Sequence, residues 1–470
     1  MKKLSFGMVE GLPEEEQRKL NNLVKIYNYH RAANVLKRKY YNGYISLKDV
    51  NLGIALPRSL ASLDIGCSWG AKTVDVLAGR SMFDGFVAAN GQDTDILTQI
   101  TKRNRLIAEY AKAVRDELLY GCTFAVLSGA PDSAVIRFYS PQCAAASWSA
   151  EKGRIDCGLA FWDAKEDESD INWHPKYVNF YTESATWELS RNSGVWTALE
   201  NPHKFGRPLM EPLIWNASSD KPFGQSRIKF PIRKLIQGYV RTLANATIGL
   251  EFATSPQKYI LGVTDDQYDA VTSNKFQQYV GSIIAATSNP ETGANPSFGQ
   301  LSQGSLSPHT EMLRILATQF SAATGLTVTD TGVVNDANPT SSDAILAQSQ
   351  TLVSLAEQLN AGNADALYQI SQMALAIERG VVPDSLPDED KGIVAHFKNP
   401  AMPSVAVTAD AAIKIASART EFASTDTFLE MIGFDQADVR RVKAQEQRVR
   451  GQQLLLEVEE DNEGNKEVME

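Results

Sequence analysis

Residues 222–263 read PFGQSRIKFPIRKLIQGYVRTLANATIGLEFATSPQKYILGV, and the rest of the chain is organised around them. The opening PFG is typical of a tight turn. Apolar residues then recur three and four positions apart, which predicts a long amphipathic helix beginning near Lys229. Pro231 is compatible with a first helical turn, where no backbone donor is needed. The apolar face comprises Ile232, Leu235, Ile236, Tyr239, Val240, Leu243 and Leu250. A strand is predicted over 258–263.

The charges of this helix run against its dipole. Arg233, Lys234 and Arg241 lie away from the apolar stripe, with cations near the start and Glu251 near the end. Cations are favoured at a helix C-terminus and anions at its N-terminus. A solvated face and a surface that meets a partner both explain this arrangement.

The composition predicts a multi-region globular protein made in the cytoplasm. A chain of 470 residues exceeds one ordinary hydrophobic core. We expect neither a signal peptide nor a membrane-spanning segment, because no apolar run has the required length. The net charge of −10 argues against tight DNA binding through neutralised phosphates.

The cysteines and histidines have no zinc-site spacing, so no metal and no cofactor is predicted. Four reduced, buried thiols are expected instead. They are Cys67, Cys122, Cys143 and Cys157. One acidic run, residues 265–269, has spacing suited to a divalent cation, but the start of a surface helix explains it better because no further ligand cluster supports it.

The first half of the chain divides into helices followed by strands. Helical patterns cover residues 13–40, 71–79 and 93–120. Alternating, aromatic-rich runs over 121–215 then predict an antiparallel meander. Six of the seven tryptophans fall within that meander, as expected for a packed core.

Residues 63–70, LDIGCSWG, resemble the glycine-rich motif of S-adenosylmethionine-dependent methyltransferases. Ser68 stands where that motif has its central glycine. The stretch does not match a phosphate-binding loop either, because that motif requires glycine before its lysine and Ala71 precedes Lys72 here. A turn leading into a helix is the favoured interpretation.

The second half predicts a small β-element between two helices and then a long helix. Residues 264–306 contain a strand-like run over 279–285, a turn-rich segment and a second strand-like run past Phe298. The remaining predictions are a helix over 308–324 ended by Gly325, a loop over 326–342, a helix over 343–380 kinked at 360–362, a strand over 393–397, and helices over 408–420, 425–432 and 435–450. The acidic residues 457–470 are expected to be disordered.

This order of elements resembles the portal proteins of tailed bacteriophages, the head-to-tail connector family. Four pieces carry the resemblance: YYNG at 40–43; TVDVLAGR at 73–80, leading to Gly85-Phe86; PFGQSRI at 222–228; and TGL at 324–326, followed by NPTSSDAI at 338–345. Each piece is short and degenerate. Their common order is the specific feature.

The resemblance implies an α+β fold with a helical stem and crown, an antiparallel β-rich wing and a small α/β clip. The implied regions are a wing over 1–227, a stem helix over 228–257, a clip over 258–306, a second stem helix over 307–325, a tunnel loop over 326–342, a long helix returning to the wing over 343–400, crown helices over 401–456 and an acidic tail over 457–470. The region after Gly380 is short, so a large crown is not expected.

The resemblance also implies residue roles without any catalytic site. The expected DNA-facing tunnel-loop residues are Thr329, Asp330, Thr331, Asn335, Asp336 and Asn338. The expected stem residues are Arg233, Lys234 and Arg241, and the expected clip residues are Asn289, Glu291, Asn295, Phe298 and Gln300. The loop contains no Lys or Arg, which suits a wall past which DNA slides.

The implied protein is not an enzyme. It is a virion component, assembled in the host cytoplasm as a homo-oligomeric ring, a dodecamer, at one capsid vertex. Its implied partners are the major capsid protein, the terminase motor, a head-tail adaptor protein and double-stranded DNA that passes without tight binding. Two alternatives remain: a methyltransferase using S-adenosylmethionine, and a capsid adaptor that forms no ring.

Overall fold

A computed structural model gives the fold of the chain. It describes residues 3–45, 65–88, 95–162, 175–192, 194–254, 258–262, 297–300, 305–332, 342–401, 405–434, 438–439 and 441–452, with the single positions 266, 293 and 295. Within these ranges, no helix combines the length and the apolar character that crossing a membrane requires.

The described residues form a mixed α and β structure. Its helices are α1 (Glu14–Tyr41), α2 (Trp69–Ala78), α3 (Asp95–Asn104), α4 (Leu106–Tyr120), α5 (Phe230–Thr254), α6 (Ser307–Thr324), α7 (Ser342–Arg379), α8 (Asp388–Lys391), α9 (Val405–Ala418) and α10 (Asp426–Ile432). Residues 441–452 are also helical. Short 3-10 helices cover Thr329–Thr331, Pro383–Ser385 and Thr420–Ser424.

Most strands belong to two sheets. The strands are β1 (Val9–Glu10), β2 (Tyr44–Ile45), β3 (Ile65–Gly66), β4 (Phe83–Ala88), β5 (Cys122–Ser128), β6 (Val135–Tyr139), β7 (Ala144–Ser149), β8 (Arg154–Trp162), β9 (Tyr177–Tyr181), β10 (Ala185–Asn192), β11 (Val195–Pro202), β12 (Met210–Ile214), β13 (Lys258–Leu261), β14 (Ser297–Gln300) and β15 (Ile393–Phe397). The larger sheet has the order β1-β11-β10-β9-β8-β7, and a second has the order β12-β5-β6. Strand pairs β13-β14, β15-β4 and β2-β3 complete the set.

The predicted meander over 121–215 is confirmed by these two sheets. Strands β7 to β11 pair antiparallel with their neighbours in chain order, while β1 joins β11 in parallel. Helix α1 covers one face of the large sheet. Its Leu20, Leu23 and Tyr27 share a core with Phe161 and Phe180 of the sheet.

The single helix predicted over 93–120 is wrong, because the chain forms α3 and α4 with a break at Arg105. Arg105 has φ 51° and ψ 40°, a left-handed conformation that no continuous helix contains. The buried Asn104 amide donates to the carbonyls of Ile100 and Ala134 and accepts from the backbone N–H of Ile136. These bonds fasten the end of α3 to β6, so the helix stops there.

Helix α7 is the central element of the larger core. It is 38 residues long and runs without interruption through 360–362, where the sequence predicted a kink. Gly362 faces β12, and a methyl group there would lie 4.0 Å from the Ile214 carbonyl oxygen. Between residues 366 and 377 almost every side chain is buried, so protein surrounds this part of the helix on all sides.

The other predicted elements mostly hold. Helices α1, α5 and α6 and strand β15 match their predicted positions within two residues, and Gly325 ends α6 with φ 74°. All four cysteines are free thiols; Cys67, Cys122 and Cys157 are buried, and Cys143 is half-buried. The strand predicted over 279–285, the tail over 457–470 and most of 265–269 lie outside the described residues.

Residues 65–70 form a packing junction, not a parallel strand followed by a nucleotide-binding turn. The strand β3 pairs antiparallel with β2. A methyl group on Gly70 would lie 2.0 Å from the Tyr40 carbonyl oxygen, and one on Gly43 would lie 2.8 Å from the Cys67 carbonyl oxygen. These glycines therefore let the end of α1 and the start of α2 touch. The methyltransferase interpretation loses its structural basis at this site.

Candidate functional site

Helices α5 and α6 form an antiparallel arm. A methyl group on Gly238 would lie 3.2 Å from Leu316, and one on Gly249 would lie 3.4 Å from Leu306. The later residue of α5 is therefore close to the earlier residue of the α6 segment, which means that the two helices run in opposite directions. Strands β13 and β14 continue the same pairing, with Lys258 opposite Gln300 and Leu261 opposite Ser297. At about 1.5 Å per residue, the 25 residues of α5 span roughly 37 Å.

The arm buries one apolar stripe and leaves other apolar side chains in solvent. The buried stripe on α5 is Ile232, Ile236, Val240 and Ala244, and that on α6 is Leu316, Ala317 and Phe320. Leu250 at 51%, Met312 at 43% and Ile315 at 49% remain exposed. Two helices are too thin to bury a second face between them, so these side chains have no cover within the described chain.

The base of the arm is fixed by Trp69 of α2. Its indole ring lies between Tyr239 of α5, at 4.3 Å between centroids, and Phe320 of α6, at 4.5 Å. The buried indole N–H donates to the carbonyl oxygen of Thr331, at 3.0 Å. One side chain therefore joins both arm helices to the segment that follows α6.

Arg227 makes a second fastening at the same place. Its Nε donates to the Thr73 carbonyl on α2 at 2.7 Å, and a terminal nitrogen donates to the Thr324 carbonyl at 2.5 Å. Thr324 is the last residue of α6, where a cation complements the helix dipole. Burial lowers the pKa of Arg227 to about 10, so it stays charged at neutral pH.

The turn before α5 brings three chain segments into contact. Gly224 has φ 68°, and a methyl group on it would lie 2.2 Å from the Trp215 carbonyl oxygen. Ser226 is buried, and its hydroxyl donates to the Leu119 carbonyl at the end of α4. This explains the PFGQSRI sequence physically: it lets the arm leave the body between α4 and β12.

The segment 326–332 is folded, although the sequence predicted a structureless loop. Thr329–Thr331 form a 3-10 turn ended by Gly332 at φ 75°. The Asp330 carboxylate accepts from the backbone N–H of Thr327 at 2.9 Å and from its hydroxyl at 2.8 Å. We call Leu326–Gly332 the post-arm turn. Residues 333–341 lie outside the described residues.

The predicted tunnel-loop residues are thus in different environments. Thr329 is exposed, Asp330 is half-buried and engaged in the turn, and Thr331 is only 7% exposed. The Thr331 side chain does not face solvent, so its assignment to a DNA-facing surface does not suit this chain fold. Asn335, Asp336 and Asn338 lie outside the described residues.

The predicted stem cations sit on α5 as expected for a mostly outward face. Lys234 and Arg241 are exposed and Arg233 is half-buried. The Lys234 ammonium lies 5.4 Å from the Phe230 ring centroid and donates to Gln237 at 3.1 Å. Gln237 in turn donates to the Tyr40 hydroxyl, which places this end of α5 against α1.

The predicted clip residues are only partly described. Phe298 and Gln300 belong to β14, opposite Ile260 and Lys258 of β13. Asn295 is exposed. Asn289 and Glu291 lie outside the described residues. Across the described part of the chain, no three His, Cys, Asp or Glu side chains are grouped so as to hold a metal ion.

Sequence reasoning assigned no role to the two residues that hold the base of the arm. Trp69 lies in the stretch that resembles a cofactor motif, and Arg227 lies in a turn. Neither position has a periodic pattern, and their contacts join residues 97 to 262 positions apart. Only the tertiary structure brings them together.

Comparisons with known proteins give distant structural matches. No protein-family model matches the chain, and no curated protein matches it. A chain in the neck of a native gene transfer agent particle, computed with C12 symmetry, has a TM-score of 0.44 at 12% identity, covering 78% of this chain and 89% of that one. A chain of the native particle's virion has a TM-score of 0.44 at 12% identity, covering 86% and 99%. A chain in the neck of the empty particle, computed with C6 symmetry, has a TM-score of 0.45 at 12% identity, covering 82% and 95%.

Proposed function

We propose that this chain is a structural subunit of a phage-like virion and that copies of it form a portal ring. In this proposal the ring occupies one capsid vertex and conducts double-stranded DNA during packaging and ejection. The observation that carries it is the arm: two antiparallel helices, continued by a strand pair and fastened to the body at their base. Such an arm suits the stem and clip expected from the order of the sequence motifs.

The exposed apolar residues of the arm support assembly. Leu250, Met312 and Ile315 would be covered if arms from neighbouring copies packed side by side. A closed ring repeats one contact between two different surfaces of each subunit. The proposed ring is therefore a homo-oligomer, and the family resemblance makes it a dodecamer.

The charge of the chain supports a conduit that does not hold DNA. The net charge is −10, and the only charged side chain in the post-arm turn is Asp330. A wall with few cations releases few counterions from DNA and so gains little affinity. The terminase, the major capsid protein and a head-tail adaptor are the proposed partners, with the adaptor docking at the clip.

The oligomeric state tests the proposal. Native mass spectrometry and negative-stain images of the purified chain are expected to show rings. The double variant Met312→Glu and Ile315→Glu should abolish them, because charges would be placed in the contact between arms. Thr310→Glu is the matched control and should leave the rings intact, because Thr310 is exposed and, at 3.6 residues per turn, lies on the side of α6 opposite Met312 and Ile315.

A chain that remains monomeric at high concentration in every salt condition would favour the non-ring adaptor. Rings that persist in the double variant would place the subunit contact elsewhere. Circular dichroism of both variants separates lost assembly from lost folding.

The post-arm turn allows a second test in a packaging assay. Because Asp330 accepts two hydrogen bonds, Asp330→Lys would unravel the turn as well as reverse a charge. Asp330→Asn keeps an acceptor and removes the charge, while Asp336→Lys changes charge in the adjoining segment. We expect Asp330→Asn to package normally and Asp336→Lys to package more slowly, with rings unchanged in both. Normal packaging by Asp336→Lys would contradict a charge-sensitive wall.

A further inference from the structure

A basic, apolar groove lies between α1 and the first turn of α5. Its volume is about 500 Å³. Its apolar lining includes Phe124, Ala145 and Phe223, and its charged lining is Lys37, Lys229 and Arg233, with His30 beside them. Among the described residues that line it, none is Asp or Glu. In a chain of net charge −10, such a groove is unusual.

The cations of this groove repel one another and lack a carboxylate partner in the described part of the chain. The Lys37 ammonium donates to the Tyr120 carbonyl at 2.8 Å and to Asn34 at 3.2 Å, both neutral acceptors. Burial lowers the pKa of Lys37, and the nearby Arg233 lowers it further. Burial and the Lys37 charge likewise lower the pKa of His30. Lys37 and Arg233 are half-buried, and like charges that are partly removed from water are costly unless an anion neutralises them.

The groove continues into a second cleft along the same two helices. Phe230 and Arg233 line both, and the second cleft adds Lys234 and the apolar residues Leu36 and Ile45. The combined surface therefore offers apolar contacts with cations along its length, and it suits an extended segment of opposite charge better than a small ligand.

We propose that this groove binds residues 454–463 of this chain, LLLEVEEDNE, from the same copy or from a neighbouring one. This segment begins with three leucines, and Glu457, Glu459, Glu460, Asp461 and Glu463 follow. Residues 453–470 together carry seven carboxylates and one lysine, and they lie outside the described residues. The inference goes beyond the ring proposal and does not depend on it.

The match has an apolar and a charged part. The leucines would cover the apolar floor near Phe124 and Phe223, which removes their side chains from water. The carboxylates that follow would pair with Lys37, Lys229 and Arg233, and then with Lys234 in the second cleft. Binding in this order orients the segment, because the apolar triplet precedes the acids along the chain.

Photo-crosslinking in the full-length protein tests this assignment. A photoreactive phenylalanine analogue replaces Leu455, and mass spectrometry maps the crosslinked residues. We expect crosslinks to 26–37 on α1 or to 222–233. The double variant Lys229→Glu and Arg233→Glu should reduce their yield roughly fivefold or more, because two attractive pairs become repulsive. Arg191→Glu, an exposed charge reversal on β10, is the control and should change nothing.

Three further measurements make the outcome decisive. Reversing Glu459 and Glu460 to Lys in the groove variant should restore the crosslinks, and Lys229→Gln with Arg233→Gln should give an intermediate yield in a fold confirmed by circular dichroism. Crosslinks elsewhere, or a yield unaffected by charge reversal, would overturn the proposal. An equal yield from a chain whose residues 454–463 are scrambled would also overturn it, because the groove would then accept any acidic segment.

Discussion

Arg227 and Trp69 each make several contacts that hold the arm to the body. The Arg227 guanidinium satisfies carbonyl groups on two helices and lies 5.8 Å from the Trp215 ring. The Trp69 indole stacks on the Phe320 ring and packs at a tilt against the Tyr239 ring, while its N–H donates to the Thr331 carbonyl. Truncating Arg227 would remove the side-chain donor of the Thr324 carbonyl at the end of α6, and truncating Trp69 that of the Thr331 carbonyl, at a cost of about 1–3 kcal/mol each.

Glu117 is a fully buried carboxyl between α4 and α7. Burial raises its pKa to about 8, although a hydrogen bond from the Asn363 amide, at 2.9 Å, opposes the shift. Asn363 also donates to the Tyr110 hydroxyl, which shares a hydrogen bond with Ser81. The group is therefore mostly protonated at neutral pH in the folded chain.

This carboxyl predicts a pH-dependent stability. Its folded pKa lies above the ordinary carboxyl value of 4.5, so its contribution to stability is fully present below about pH 4.5 and is lost as pH rises to about 8. Relative to Glu117→Gln, the wild type should lose about 1.4 kcal/mol of unfolding free energy per pH unit across that window. Denaturant unfolding of both proteins from pH 5 to 8 measures this. The exposed Glu188→Gln is the control, and a constant difference between wild type and Glu117→Gln would contradict the prediction.

Alanine substitutions at Gly66 and Gly70 should affect stability differently. Gly70→Ala should destabilise the chain by about 1–3 kcal/mol, because the methyl group would meet the Tyr40 backbone. Gly66→Ala should be close to neutral, because nothing lies within 4 Å of the added atom. Thermal unfolding of the two variants measures both effects. Equal stability, together with saturable binding of S-adenosylmethionine to the wild type alone, would restore the methyltransferase interpretation.

At the scale of elements, periodic patterns predicted helices well where one face packs against the body. Helices α1, α5 and α6 follow their apolar stripes. The pattern failed where a side chain competed with the helix, as Asn104 does through its bonds to β6. It also failed at the post-arm turn. The bonds between Thr327 and Asp330 span only three residues, but the Trp69 indole that holds this turn to the body lies 262 positions from Thr331.

Gly362 allows the uninterrupted path of α7 to be tested. A glycine within a helix costs about 0.5–1 kcal/mol relative to alanine, and an added methyl group here would make only ordinary contact with Ile214. Gly362→Ala should therefore stabilise the chain by about that amount. Thermal unfolding measures the change, with Gly158→Ala as the contrasting variant, since its methyl group would meet Met210 at 2.1 Å. Destabilisation by Gly362→Ala would indicate a bend that needs glycine.

For the whole molecule, the charge balance and the order of the motifs were readable from sequence, whereas the assembly of the arm's base was not. The motifs specify which elements follow one another. The contacts among α2, α5 and α6 depend on side chains far apart in the chain, so no single stretch contains them. The sequence therefore predicted which helices and strands form the candidate site, but not which residues hold them together.

The net charge of −10 gives a prediction for the purified protein. Affinity for a 30-base-pair duplex at about 0.15 M salt should be weaker than about 10⁻⁴ M, because few phosphates would be neutralised. Fluorescence anisotropy measures it. Removing 453–470 changes the net charge to −4, since seven acids and one lysine are lost, and binding should stay weak. Micromolar, salt-sensitive binding by the full chain would contradict a passage that does not hold DNA.

The parallel strand β1 has a consequence for synthesis. Val9 pairs with Trp196 and Glu10 with Thr197, and Phe6 packs edge-on against the Trp196 ring at 4.9 Å. During translation, residues 4–10 therefore stay unpaired until the ribosome has made β11, almost two hundred codons later. The earliest strand of this sheet is therefore among the last to be paired, and until β11 is made β1 is open to strands from other nascent chains.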